Sequence, residues 1–370
     1  MNDYSRRTIG RRPDTGKGDP GTGAGGAAKF RRHAAGHPGW PGPYAFQSGF
    51  LGSGDFVPGA FVLFGAGLDD TTSFRPGTRF GPGAIRESSV GLEEFSPLAW
   101  RSLTDLAWSD WGDLELSPGR LPDSLERIRE ATRTILDAGG IPLMLGGEHL
   151  ATLPVVQSVA ERVPGLVVLH LDAHADLRDT FGGARLSHGT VLRRVSEAVG
   201  DKRLVQVGMR SWVPEEWEYA QEHCLFYPVE PAADPAAAPA GGPAADPLAG
   251  AAGHAGHRSG PVLYPSLTAA LAAALPHLAG HPVYVTIDID VIDPCEAPGT
   301  GVPEPGGARA YEVWQGLAAM RRMGLTVAGA DLVEVAPAYD PTGRTPVVAA
   351  RIIRELVCLF APARAADTER

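Results

Sequence analysis

The chain has 370 residues, 44% of them hydrophobic, and a formal net charge of -10 at pH 7. Its length suits one large α/β domain or two small ones, with ample material for a core. The acidic balance excludes a general nucleic-acid binder, which needs a basic excess to neutralise phosphates, and no run approaches the roughly 18 apolar residues of a membrane span.

The charge is uneven. Residues 1–37 hold eight Lys/Arg against three Asp, a local +5 that leaves -15 for the remainder. Residues 1–45 show no hydrophobic period and read as a disordered, basic, Gly/Pro-rich tail. Arg6-Arg7 and Arg11-Arg12 precede no apolar stretch, so an export signal is not expected. Cys224, Cys295 and Cys358 show no paired spacing, which fits a reducing, cytoplasmic setting.

Order is expected from about Ala60. Phe61 to Phe64 reads as a buried strand, followed by a polar loop from Asp70 to Pro82 and a helix from Pro82 to about Val90. Leu121 to Ala138 carries the spacing of an amphipathic helix, and Gly139-Gly140 ends it. Ile141 to Leu145 is the next strand. It leads through Gly146-Gly147-Glu148 to His149, at the start of a helix running to about Val163. Val167 to Leu171 is a run of β-formers that delivers Asp172, His174 and Asp176 at alternate positions. In extended backbone these three side chains share one face, and so dense a polar cluster calls for a compensating cation.

Ser187-His188-Gly189 precedes a helix containing Val191, Leu192 and Val195, and Leu204 to Val207 is a further strand followed by a helix rich in Glu and Trp. Between Glu230 and Pro261, 24 of 32 residues are Ala, Pro or Gly, and the six prolines exclude a regular helix, so the segment reads as a disordered insertion. His254 and His257 within it are not expected to bind metal. A helix over Ser266 to Leu278 and a strand over Pro282 to Ile287 follow, the strand delivering Asp288 and Asp290. Tyr311 to Met323 is helical, Val327 to Ala330 is a strand ending towards Glu334, and a last helix spans about Pro346 to Leu359. The fold class is therefore α/β, a three-layer sandwich around a mainly parallel sheet, with its polar clusters at strand C-terminal ends. One catalytic domain over 46–363, interrupted at 230–261, and a short tail at 364–370 complete the expected organisation.

His149, Asp172, His174, Asp176, Asp288 and Asp290 are too many ligands for one tetrahedral zinc but suit two divalent ions. Oxygen-rich ligation with two histidines favours Mn²⁺, with nickel, cobalt or iron left open. Two such ions make hydroxide available near neutrality, so metal-assisted hydrolysis follows. The residue types alone leave amide, phosphoester and amidine substrates open. Glu334 could pair with a planar cation, and His188 could shuttle a proton.

Taken together, Gly146-Gly147-Glu148-His149, Asp172-Ala173-His174-Ala175-Asp176, Ser187-His188-Gly189, Thr286-Ile287-Asp288-Ile289-Asp290 and Asp331-Leu332-Val333-Glu334 resemble the ureohydrolases, the arginase and agmatinase family. The loops containing Arg75 and Glu304 are similar to the agmatinase branch. The resemblance implies a binuclear manganese hydrolase, two ions per subunit, that releases urea from a small cationic guanidino substrate such as agmatine, in polyamine biosynthesis. It further implies that His149 and Asp176 bind one ion, His174 and Asp290 the other, and that Asp172 and Asp288 bridge them. Asp176 would also handle a proton, Glu334 anchor the guanidinium and His188 bind substrate and pass protons to the leaving amine. Family members are usually trimers or hexamers.

Three positions depart from the family pattern. Glu148 replaces a more usual Asp, Val302 stands where many relatives have Thr, and Arg178 replaces the Asn with which arginases hold the amino-acid end of arginine. Arginine is thus a poor candidate substrate. A guanidino acid such as guanidinobutyrate is the alternative, with Arg178 either receiving its carboxylate or pairing internally with Asp179. A catalytically inactive binding relative is a further alternative.

Overall fold

The structure, a computed structural model, describes residues 49–230 and 260–364. The expected basic tail, nearly all of the Ala/Pro/Gly-rich insertion and most of the C-terminal tail lie outside the described residues. The elements are β1 (Phe61–Ala66), α1 (Gly81–Ser89), β2 (Phe95–Ser96), β3 (Arg101–Ser102), β4 (Trp108–Asp113), α2 (Leu121–Asp137), β5 (Ile141–Gly146), α3 (Thr152–Arg162) and β6 (Val167–Leu171). The series continues with α4 (Val191–Val199), β7 (Leu204–Val207), α5 (Pro214–His223), β8 (Cys224–Tyr227), α6 (Leu267–Ala274), β9 (Pro282–Asp288), α7 (Ala310–Arg322), β10 (Thr326–Val333) and α8 (Arg344–Phe360).

Eight strands form one sheet in the order β4-β1-β5-β10-β9-β6-β7-β8, and every neighbouring pair is parallel. Strand alternation divides the apolar side chains between two cores. Phe61 and Leu63, Val205 and Val207, and Val283, Val285 and Ile287 face one core, shared with Ile85, Leu271, Leu317 and Ile353 of α1, α6, α7 and α8. Val62, Phe64, Leu204 and Tyr284 face the other, shared with Ile128, Val159 and Val195 of α2, α3 and α4. Helices thus cover both faces, which is why the strands read as apolar runs rather than alternating ones. The result is the three-layer sandwich expected from the sequence.

The two outer strands, β4 and β8, are not expected from the sequence. Each lies at a sheet edge, with a neighbour on one side only. β4 includes Ser109, Asp110 and Asp113, and β8 follows α5 with no intervening turn residues, so neither carries the bounded apolar signature of a central strand. The four central strands, β5, β10, β9 and β6, lie side by side. Their C-terminal ends carry His149, Glu334, the Asp288–Asp290 pair and the Asp172–Asp176 run. Crevices at such ends are where open parallel sheets place their sites.

Candidate metal centre

Each of these side chains is positioned by a local break from regular structure. Beyond β5, Gly147 packs so closely on Leu68 that a Cβ there would collide with the Leu68 carbonyl oxygen. That close approach, rather than a positive φ, is what Gly147 provides, and His149 then opens a 3-10 turn ahead of α3. After β6 the backbone does not continue as an extended strand. Asp176 has φ of 53°, in the left-handed region, so the three side chains converge through a turn and not through the pleat the spacing suggested. Glu334 is also left-handed, at φ 64°. Such residues cost on the order of 1–3 kcal/mol each and persist where surrounding structure over-determines them. Asp290 sits in a 3-10 turn after β9, where its backbone N–H donates to Asp288 Oδ1 over 2.8 Å.

The six residues meet around Asp172. His149 Nδ1 stands 3.2 Å from Asp172 Oδ2, 3.3 Å from Asp176 Oδ2 and 3.5 Å from Asp288 Oδ2. On the other side, His174 Nδ1 lies 3.0 Å from Asp290 Oδ2 and 3.6 Å from Asp172 Oδ1. The two oxygens of Asp172 therefore face different histidines. Asp172, His174 and Asp290 bring ligand atoms within 4.8 Å of one another, as do His149, His170 and Asp172.

The donor chemistry fits a cation. Thr286 Oγ1 donates to Asp331 Oδ1 (2.6 Å), so it accepts from His149 Nε2–H, 3.0 Å away. With its proton on Nε2, His149 turns a lone pair on Nδ1 towards three carboxylate oxygens, and that buried atom has no hydrogen-bond partner. Acceptors facing acceptors in a buried site require a positive charge between them, a proton in the metal-free chain or a metal cation in its place. A carboxylate or hydroxyl behind a histidine is the usual way to orient it for metal.

The protonation preferences record the same crowding. Burial, with Asp290 and Asp172 adding to it, pushes Asp288 well above the ordinary carboxylate range, and burial with the Asp172 charge brings Asp176 up to about 7. Burial alone would lower His174, but Asp290 and Asp172 outweigh it and raise the ring to about 12. Asp172 is held well below its ordinary value: burial opposes this, but His170, His149 and His174 more than offset it.

Glu334 Oε1 accepts from the His149 backbone N–H over 2.8 Å. The side chain is buried, no cationic partner reaches it among the described residues, and burial with Glu148 and Asp290 nearby raises its pKa well above the ordinary value. It is a receptive site for a cationic group. His188 stands at the rim rather than in the cluster. Its Nε2 is 3.1 Å from Ser73 Oγ and its Nδ1 is 3.5 Å from Thr71 Oγ1, while its backbone N–H donates to Thr71 Oγ1 over 3.0 Å. Burial lowers its pKa, which keeps the ring neutral near pH 7.

Glu148, which departs from the family pattern, is fully buried. It accepts from Thr71 N at 2.8 Å and Thr71 Oγ1 at 2.9 Å, so it holds the loop that holds His188. The Arg178–Asp179 pairing offered as one expectation does not form. Asp179 pairs with Arg194 at 2.7 Å, and with Arg185 and Arg193 at 3.5 and 3.7 Å. The Arg178 guanidinium instead lies 5.2 Å from the Phe181 ring centroid, and Phe181 is edge-on to His188 at 5.3 Å. The sequence reading also missed Arg210, which donates to the carbonyls of Asp290 (2.6 Å) and Glu304 (2.7 Å) and so ties two site loops together. His170, Gln206, Thr286 and Asp331 were missed as well. Each is a polar residue inside a largely apolar parallel strand, and that was the available signal.

Comparison with known proteins gives the family of the chain. The profile of the Arginase family matches residues 59–232 and 263–358. The chain belongs to the arginase family. It is 40% identical over 306 residues to the agmatinase of Bacillus anthracis, covering 82% of this chain and 92% of that protein. It is 33% identical over 323 residues to the guanidinobutyrase of Pseudomonas aeruginosa, covering 83% and 87%. Among solved structures, the proclavaminate amidino hydrolase of Streptomyces clavuligerus matches at 30% identity with a TM-score of 0.65, covering 86% of this chain and 98% of that one. Within the arginase family the chain is an agmatinase-type ureohydrolase, a hydrolase of guanidino compounds. No helix among the described residues is long and apolar enough to cross a membrane.

Proposed function

We propose that the protein hydrolyses agmatine to putrescine and urea at a centre of two manganese ions held by His149, Asp172, His174, Asp176, Asp288 and Asp290. The observation that carries this reading is the convergence of three carboxylate oxygens on His149 Nδ1, a buried atom with no hydrogen-bond partner, beside a second group of carboxylates around His174. His149 and Asp176 would hold one ion, His174 and Asp290 the other, and Asp172 and Asp288 both. The split orientation of the Asp172 oxygens supports the shared role. Oxygen-rich ligation with two imidazoles suits Mn²⁺. When bound, the ions supply Lewis acidity and bring a water towards ionisation near neutral pH.

The chain's own residues supply orientation and proton transfer. Glu334, with Oε1 tethered to the His149 N–H, pairs with the planar guanidinium and fixes its carbon over the centre. Of the carboxylates around His149, Asp176 has the most exposed side chain (11% against 0% for Asp172 and 5% for Asp288), so it is placed to take the attacking water's proton. Water adds to the guanidinium carbon as Asp176 takes its proton, the bond from that carbon to the alkyl-bearing nitrogen breaks, and His188, neutral until it takes up a proton from solvent at the rim, passes that proton to the departing amine. The Thr71–Ser73 loop holds the imidazole for that transfer.

A second reading is favoured by Arg178, which has no carboxylate partner at salt-bridge distance among the described residues and lies one aromatic ring away from His188. A substrate ending in a carboxylate would find a cation there, making the enzyme a guanidino-acid hydrolase. Urea release from agmatine, 4-guanidinobutyrate and arginine separates the readings. The first expects agmatine to be fastest and arginine slowest; silence with agmatine sinks it. Fast 4-guanidinobutyrate turnover that collapses in Arg178→Ala establishes the second. Assembly as a trimer or hexamer, implied by the resemblance, and a cytoplasmic setting, which the unpaired spacing of the cysteines fits, complete the proposal.

A further inference from the structure

Two residues before Asp172 and Asp288, the sheet carries a row of buried polar side chains. The register pairs Gln206 of β7 with His170 of β6, His170 with Thr286 of β9, and Thr286 with Asp331 of β10. All four are fully buried. They share a sheet face with Val168, Leu204 and Tyr284, and that placement points them at the floor of the site. Thr286 and Asp331 lie behind His149, as described above. The other arm lies behind Asp172.

His170 Nε2 is 2.8 Å from Asp172 Oδ2. Its ligand atom also groups with those of His149 and Asp172, so geometry alone leaves two roles, metal ligand or hydrogen-bond donor. Gln206 decides between them. Its Nε2 stands 2.7 Å from the Ala175 carbonyl oxygen, which can only accept, so the atom there is the amide nitrogen. The same nitrogen is 3.1 Å from His170 Nδ1. The amide thus donates to Nδ1, the ring proton lies on Nε2, and that proton points at Asp172.

We infer that His170 is a positioning residue for the metal centre: it is not a ligand, but holds the shared carboxylate Asp172 from behind through Nε2–H, in a tautomer fixed by Gln206. This rests on the proposed two-metal reading of the site. The consequence is specific. Asp172 Oδ2 would otherwise be free to rotate, and its Oδ1 would lose the orientation in which it also accepts from the His174 backbone N–H at 2.6 Å. Outer partners of this kind typically govern about 10- to 100-fold of metal affinity.

The test is manganese binding to the full chain, read from the electron paramagnetic resonance signal of free Mn²⁺, in the unaltered protein and in His170→Phe and His170→Gln. Phenylalanine fills the ring's space without a donor, whereas the glutamine amide places an N–H near the former Nε2. His170→Phe is expected to bind about 10- to 100-fold more weakly while His170→Gln stays close to the unaltered chain. Equal affinity in all three overturns the inference. So does equal weakening in both variants, which is the result for a ligand. Should His170→Phe fail to fold, the glutamine variant and the imidazole ¹⁵N spectrum of the Zn²⁺-loaded chain still decide: His170 is expected as the Nε2–H tautomer, and the Nδ1–H tautomer overturns the inference. If the unaltered chain binds no manganese, zinc or other divalent ion, the two-metal reading itself falls, a result distinct from a normal centre that is indifferent to His170.

Discussion

The two halves of the candidate centre are built differently. The His149 half is closed: the imidazole is 1% exposed, faces three carboxylates, and is braced from behind by Thr286 and Asp331. The His174 half is more open: its imidazole is 21% exposed, faces two carboxylates, and on its outer side, among the described residues, has Glu304, whose Oε2 is 4.0 Å from Nε2. A closed, braced half should hold its ion tightly and contribute to the stability of the fold. An open half should exchange its ion more readily and tolerate change with less harm to folding. Asp172 belongs to both.

The largest effect should therefore come from Asp172→Asn. It removes charge from both halves, and the expected loss of kcat/KM is on the order of a thousandfold or more, about 4 kcal/mol of transition-state stabilisation. Metal analysis should find neither ion retained at full occupancy. Next, His174→Asn should lose one ion and about a hundredfold in turnover, worth about 2.7 kcal/mol, while its melting temperature stays near that of the unaltered chain. His149→Asn should lose ions, turnover and several degrees of melting temperature together. If the two variants melt alike, the contrast between the halves is wrong. Thr286→Val sharpens the contrast, because it removes the brace behind His149 alone. Metal affinity on that side should weaken by about 10- to 100-fold, with one ion still bound normally.

The smallest effect is one of pH. In the metal-free chain, burial and Asp172 push the Asp176 carboxyl up to about 7. A carboxyl whose pKa rises on folding favours the fold while protonated, and that contribution is lost as pH climbs through the raised value. A bound cation takes the place of the proton. The chelated chain should thus melt at lower temperature at about pH 8 than at about pH 6, and the increment gained on adding Mn²⁺ should grow over the same range. His149 and His174, both raised, act in the same direction. Glu148, also raised to about 7 by burial, contributes to both forms and does not change the increment.

What the sequence revealed and what it hid divide along physical lines. The six site residues were legible because they fall in short motifs at the ends of apolar runs, where a parallel sheet leaves its crevice. The central strands were legible because both their faces are buried. The edge strands β4 and β8 were not, since an edge needs no continuous apolar run. The spacing of Asp172, His174 and Asp176 suggested an extended strand, whereas left-handed Asp176 turns the chain. Spacing fixes which residues are near one another, not the backbone path between them. The roles of Gln206, His170, Thr286 and Asp331 stayed hidden because each sits inside a largely apolar strand, away from the strand-end clusters. Only cross-strand register places them in one row. The role of Glu148 was not legible because its partner, Thr71, lies 77 residues away.

The central claim, a two-ion centre that hydrolyses a guanidino compound, is tested most directly by one titration. Urea release from agmatine and from 4-guanidinobutyrate is measured on the chelated full chain as manganese is added back in known equivalents. Release should be negligible without metal and should rise until about two equivalents per chain are bound. Full activity in the chelated chain, a plateau at a single equivalent, or no urea from either substrate at any loading would contradict the claim.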